Sequence, residues 1–149
     1  MSKAIYRDTF NLLCGEKIGE GVHRKVFECR LRPELVVKVE KDEHWRYFAN
    51  AAEMHFWDRA DPPVARWLAP CEFLSPDGWI MLQRRVIPLA SDDVLPAKLP
   101  GFLTDVKRGN FGWLPDADPT KPRRLVCIDY VFAPFATAPS MRMKQVTWD

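Results

Sequence analysis

Ile18-Gly19-Glu20-Gly21-Val22-His23-Arg24-Lys25-Val26, followed after a short gap by Leu35-Val36-Val37-Lys38-Val39, is the stretch on which the fold turns. Apolar residues recur on both sides of the glycine pair over strand-like lengths, so the glycines join strand to strand rather than strand to helix. One strand ends near Ile18, a second covers 25–31 and a third 35–40, with Arg32-Pro33-Glu34 breaking the chain between the last two. An antiparallel meander follows. Glycine lacks the Cβ that would keep an anion away from the backbone N–H groups of such a turn, which makes Gly19 and Gly21 candidates for phosphate contact. A plain hairpin turn is the other reading of the same residues.

Lys38 sits in a mostly apolar strand, where a cation is costly unless an anion meets it. Downstream, Trp45, Phe48, Ala49, Ala52, Phe56 and Trp57 recur at helical spacing, with Asp42 as N-cap and Asp61-Pro62-Pro63 as the stop. Glu53 lies beside that apolar stripe and would reach Lys38 if the helix packed on the sheet. Segments 71–74 and 79–83 flank Ser75-Pro76-Asp77-Gly78, a hairpin-turn composition, and bring the expectation to five strands and one helix. After Arg85, Pro88, Pro96, Pro100, Pro115, Pro119 and Pro122 keep every candidate helix short. A brief helix over 91–98, a strand over 125–128 and a Pro- and Ala-rich tail over 133–149 are expected there.

The 149 residues fit one domain, and six Trp and nine Phe supply bulky core material. Lys and Arg total 22 against 20 Asp and Glu, so the formal charge of +2 provides no general field for nucleic acid or anionic lipid. Cys14, Cys29, Cys71 and Cys127 are too far apart in sequence for a zinc site. Cys29, Cys71 and Cys127 sit in strand-like runs, and as reduced thiols they fit a cytosolic compartment. No apolar run reaches the ~20 residues that a membrane helix needs, and the expectation is a soluble protein of the cytoplasm.

The stretch with most chemical content is Thr104-Asp105-Val106-Lys107-Arg108-Gly109-Asn110, which spaces its polar residues Asp-x-Lys-x-x-Asn. Phosphoryl transfer uses these types: a carboxylate to orient the acceptor hydroxyl and take its proton, a cation near the moving phosphoryl, and a carboxamide oxygen for Mg²⁺. Val126-Cys127-Ile128-Asp129-Tyr130 then places a carboxylate just after an apolar strand, a second oxygen ligand for Mg²⁺.

With glycine loop, strand lysine, helix glutamate, catalytic Asp and Asn and metal Asp in that order, the sequence resembles the protein-kinase-like superfamily. The resemblance covers most of the chain from Gly19 to Asp129. It implies an α+β fold: a kinase-like N-lobe of a five-stranded antiparallel sheet and one αC-like helix, followed by a strongly reduced C-lobe. The implied organisation is a single domain over 1–149, with an N-lobe-like part at 10–87, a reduced catalytic-loop region at 88–132 and a tail at 133–149. By the same resemblance Gly19 and Gly21 cover the phosphates of ATP, Val26 caps the adenine, Lys38 holds phosphate oxygens, Glu53 fixes Lys38, and Gln83 opens the hinge at 83–86. Asp105 is then the catalytic base with Lys107 assisting, and Asn110 and Asp129 carry Mg²⁺.

Arg24 replaces the third glycine of the loop, Leu103-Thr104 replaces His-Arg before the catalytic Asp, and Tyr130-Val131 replaces Phe-Gly after the metal Asp. The short stretch from Val86 to Asp105 leaves no space for the long helices that buttress a catalytic loop. Three functions fit: a miniature kinase passing the γ-phosphate to an unidentified acceptor; a pseudokinase-like interaction module without turnover; and a small α+β interaction protein. In the last, His23, Arg24, Lys25, Arg84 and Arg85 form a local anion or nucleic-acid patch. Trp45, Trp57, Trp67, Trp79 and Trp113 point to self-association or a protein partner. Compact kinase relatives suit small viral genomes, for which the compartment is the host cytoplasm.

Overall fold

In strand β3 (Leu35–Glu40), Leu35, Val37 and Val39 turn to one side and Val36, Lys38 and Glu40 to the other, the alternation a strand imposes. The computed structural model describes residues 3–41, 48–130 and 139–149. Its contacts divide the chain into two compact units, one of Met1–Met54 with Cys71–Arg85, the other of His55–Pro70 with Val86–Asp149.

The first unit is built on a five-stranded antiparallel sheet in the order β1-β2-β3-β5-β4, comprising β1 (Cys14–Glu20), β2 (Arg24–Cys29), β3, β4 (Cys71–Leu74) and β5 (Ile80–Arg84). Leu35 and Val37 pack with Cys14 and Cys29, and the cluster is closed by Phe27, Val39, Ile80 and Leu82. Helix α1 (Lys3–Leu13) covers this face through Phe10 and Leu13, and Phe10 meets Phe27 edge to face at 5.0 Å. Fully burying such a side chain contributes about 1.5–3 kcal/mol, and the partly buried Phe10 and Leu13 contribute a share of that. This helix was not anticipated from the sequence.

Helix α2 (Ala49–Arg59) places Asn50 and Glu53 against the Lys38 side of the sheet. It begins seven residues after Asp42; Asp42 and Trp45 lie outside the described residues. Phe48, at φ 53°, turns the chain into the helix, and its carbonyl accepts the first helical bond from Ala52. The orphan amide of Asn50 is held by Glu40 Oε1 at 2.7 Å, so a strand residue caps the helix. The Ser75–Gly78 turn forms as expected, with Gly78 at φ 75° and its N–H on Ser75 O at 2.8 Å.

In the second unit, Asp61-Pro62-Pro63 not only follows the end of α2 but opens a one-turn helix, α3 (Pro62–Ala65), with proline in its first turn. Strands β6 (Ile87–Pro88), β8 (Phe111–Leu114) and β9 (Arg124–Cys127) form a small sheet in the order β6-β8-β9. Leu68 bridges Cys127 in parallel. Ala69, Leu114 and Val126 form its core, and Tyr130, fully buried, donates its hydroxyl to Ala69 O at 2.6 Å. β7 (Lys98–Pro100) pairs with β10 (Met143–Gln145), so the described part of the tail returns as a strand. The helix expected over 91–98 does not form. Asp93 accepts the N–H of Ala90 at 2.7 Å and the indole N–H of Trp113 at 2.8 Å, a local bonding scheme that competes with helix. Among the described residues no helix is long and apolar enough to cross a membrane.

Candidate functional site

Antiparallel register lines up residues on one face of a sheet, and in the first unit it aligns Gly19 with Val26, Val26 with Lys38, and Lys38 with Met81. Three residues expected around a nucleotide thus form one row across β1, β2 and β3. Neither Gly19 nor Gly21 has a positive φ, and a Cβ on either would meet nothing closer than 3.8 Å. The hairpin itself therefore does not require glycine at these positions.

At the centre of that face Glu53, fully buried, collects three donors. Lys38 Nζ lies 2.5 Å from Oε1, Arg24 clasps both carboxylate oxygens at 3.1 Å, and Gln83 Nε2 reaches Oε1 at 3.2 Å. Arg24 also donates to Asn50 Oδ1 at 3.2 Å, and Asn50 Nδ2 bonds the carbonyls of Lys38, Gly78 and Trp79. Burial pushes the Glu53 carboxyl up, but the charges and hydrogen bonds of Lys38 and Arg24 outweigh it and hold the group at about 2. Two cations and two carboxylates, those of Glu53 and Glu40, share this buried region, which is the balance a low-dielectric interior needs.

The Lys38–Glu53 contact expected from spacing is formed. Arg24 was not expected in it: its long-range bond crosses from the glycine turn to α2, and the only hint in the sequence is its period-two phase with Val26. Gln83 departs from its assigned role. It lies inside β5 between Val36 of β3 and Cys71 of β4, its side chain turned to Glu53, and the N–H of Arg85 is already donated to Glu34 O at 2.8 Å. Gln83 is a buried network residue, not the start of an open hinge. Nor does the basic patch assemble. Arg24 is buried on Glu53, Arg84 pairs with Glu72, and Arg85 pairs with Glu28.

The second unit brings together Asp105, Lys107 and Asn110. Asn110 Nδ2 donates to Asp105 Oδ2 at 2.9 Å and to its carbonyl at 3.0 Å, while Lys107 Nζ lies 3.2 Å from Asp105 Oδ1. A 3₁₀ turn, Arg108–Asn110, closes the loop, with Asn110 N–H on Lys107 O at 2.9 Å. Asn110 leads into β8, and its carbonyl accepts the N–H of Ile128, just past the end of β9, at 2.8 Å, so Asp129 lies two residues beyond that strand. With its amide hydrogens given to Asp105, Asn110 keeps Oδ1 as an acceptor, and Asp129, which follows Ile128 in the chain, is exposed. Among the described residues no three His, Cys, Asp or Glu side chains converge as a metal cluster. Two oxygen donors of this kind suit Mg²⁺, which fills its octahedron from water and phosphate. All four cysteines are buried, and no disulfide joins them.

No family model matches the chain, and a search of curated proteins returns no match.

Proposed function

We propose that this chain is a miniature kinase-like protein that binds ATP with Mg²⁺ and transfers the γ-phosphate to an acceptor hydroxyl. The observation that carries the reading is the buried Lys38–Glu53 pair on the sheet face where Gly19 and Val26 stand in register with Lys38. Glu53 holds the ammonium in one place, as a cation meant for phosphate oxygens must be held, and the glycines put no Cβ in the way of phosphate approaching the turn. Asp105 orients the acceptor hydroxyl and takes its proton as the new phosphate ester bond forms and the bond to the departing diphosphate breaks, while Lys107 offsets the charge. Asn110 and Asp129 hold Mg²⁺, which when bound neutralises phosphate charge. The described residues between Val86 and Asp105 contain no helix, which favours a small or externally presented acceptor over a peptide seated on long helices there.

A second reading is a pseudokinase-like module that binds a protein partner or a second copy of itself without turnover. It draws on the engagement of Asp105 by both Lys107 and Asn110, and on exposed Leu12, Val22 and Leu31 in the first unit.

Calorimetric titration with ATP, with and without Mg²⁺, separates these readings from no nucleotide function. Metal-dependent binding lost in Lys38→Ala and Asp129→Asn is the expected result, with phosphate release abolished in Asp105→Ala. Binding without release in wild type selects the second reading, and absence of binding in the wild-type protein removes the nucleotide altogether.

A further inference from the structure

The residue that departs most from a glycine loop is Arg24, and its position gives it two tasks at once. Its carbonyl accepts the N–H of Gly21 at 2.8 Å, which closes the turn between β1 and β2. Its guanidinium, buried, forks onto both oxygens of Glu53 at 3.1 Å and onto Asn50 Oδ1 at 3.2 Å. A planar fork on a carboxylate fixes orientation as well as distance, which a lysine ammonium cannot do. We infer that Arg24 is a positioning residue that locks the glycine turn to helix α2, so that the turn amides are fixed by Glu53, the same carboxylate that fixes Lys38.

The consequence for ligand binding rests on the nucleotide reading above. A glycine turn with no side-chain anchor samples many conformers and loses that freedom when phosphate arrives. A turn already fixed by Arg24 incurs less of that cost on binding. Arg24 itself is buried with its guanidinium turned onto Glu53 and Asn50, so it acts through Gly21 and Glu53, not by touching phosphate. Glu53 thereby orients both cationic arms, and a disturbance of α2 at Glu53 reaches Lys38 and the turn together.

Backbone amide exchange, read by NMR on the whole chain, tests the lock without any nucleotide. In the wild-type protein the Gly21 amide exchanges at least ~10-fold more slowly than an unstructured glycine, the protection a hydrogen bond of about 1.4 kcal/mol gives. In Arg24→Lys that amide speeds up ~10-fold while the amides of β3 and β5 stay protected, and the Kd for Mg-ATP rises by a similar factor. Lys38→Ala weakens Mg-ATP but leaves Gly21 exchange unchanged. If Arg24→Lys fails to fold, Glu53→Gln breaks the same fork from its other side and is read the same way. An unprotected Gly21 in the wild-type protein, or unchanged Gly21 exchange in a folded Arg24→Lys protein, overturns the lock. A selective response at Gly21 in a protein that binds no Mg-ATP supports the lock and sinks the nucleotide reading instead.

Discussion

Glu53→Gln keeps the shape of the side chain and removes the one carboxylate on which Lys38 and Arg24 converge. In wild type the carboxyl titrates at about 2 instead of its ordinary 4.5, and at about 1.4 kcal/mol per pH unit that interval integrates to roughly 3 kcal/mol of stability. Removing one partner of a buried ion pair costs about 3–5 kcal/mol, the same order. Because the folded group titrates below the unfolded one, this contribution is complete above the unfolded value, declines as the pH falls below 4.5, and is gone beneath about 2. Urea unfolding of both proteins, followed by far-UV circular dichroism, should therefore show a gap of roughly 3 kcal/mol at pH 7 that narrows to roughly 1 kcal/mol near pH 3. A gap below about 1 kcal/mol at neutral pH, or one that does not change on acidification, would refute the assignment of Glu53 as a charged hub.

Gly21→Ala should change stability by less than about 0.5 kcal/mol, since the added Cβ meets nothing closer than 4.0 Å and φ is ordinary; the same variant should weaken Mg-ATP binding ~10-fold by calorimetry if the turn cradles phosphate. Gly112→Ala is the contrasting case: a Cβ there collides with the side chain of Val86 and comes within 2.9 Å of Ile87 O, so thermal unfolding should show a loss of about 1–3 kcal/mol or more through the β6-β8 pairing.

How much of this was legible in the sequence depends on the range of the interactions. β3 and β4 occupy the positions their apolar runs announced, and β5 is displaced by one residue, because a strand in a meander is specified by its own alternation and its adjacent turns. The start of α2 was misplaced because its cap comes from Glu40 across the sheet and not from Asp42 in the local sequence. The short strands β6, β8 and β10 escaped notice for a related reason: runs of two to four residues carry no period, and their partners lie far along the chain. The contact of Lys38 with Glu53 could be anticipated from a cation on a strand and an anion on the following helix. Arg24 and Gln83 could not, since their bonds to Glu53 span about thirty residues in either direction. The cluster of Asp105, Lys107 and Asn110 was legible because a single loop contains it.

The face shared by β3 and α2 also constrains how this protein can change. Lys38 and Glu40, two apart on the strand, answer Glu53 and Asn50, three apart on the helix, and Arg24 ties the set to a third element. Replacing any one of the charged members leaves a buried charge unmatched, while exchanging the whole set for apolar residues of similar volume leaves none. Single substitutions here are therefore far more damaging than their joint replacement, a strong and sign-changing epistasis. Descendants of this sequence keep the five residues as a group or lose them as a group, and a homologue in which only one has drifted is expected to carry its compensation at another of the same five.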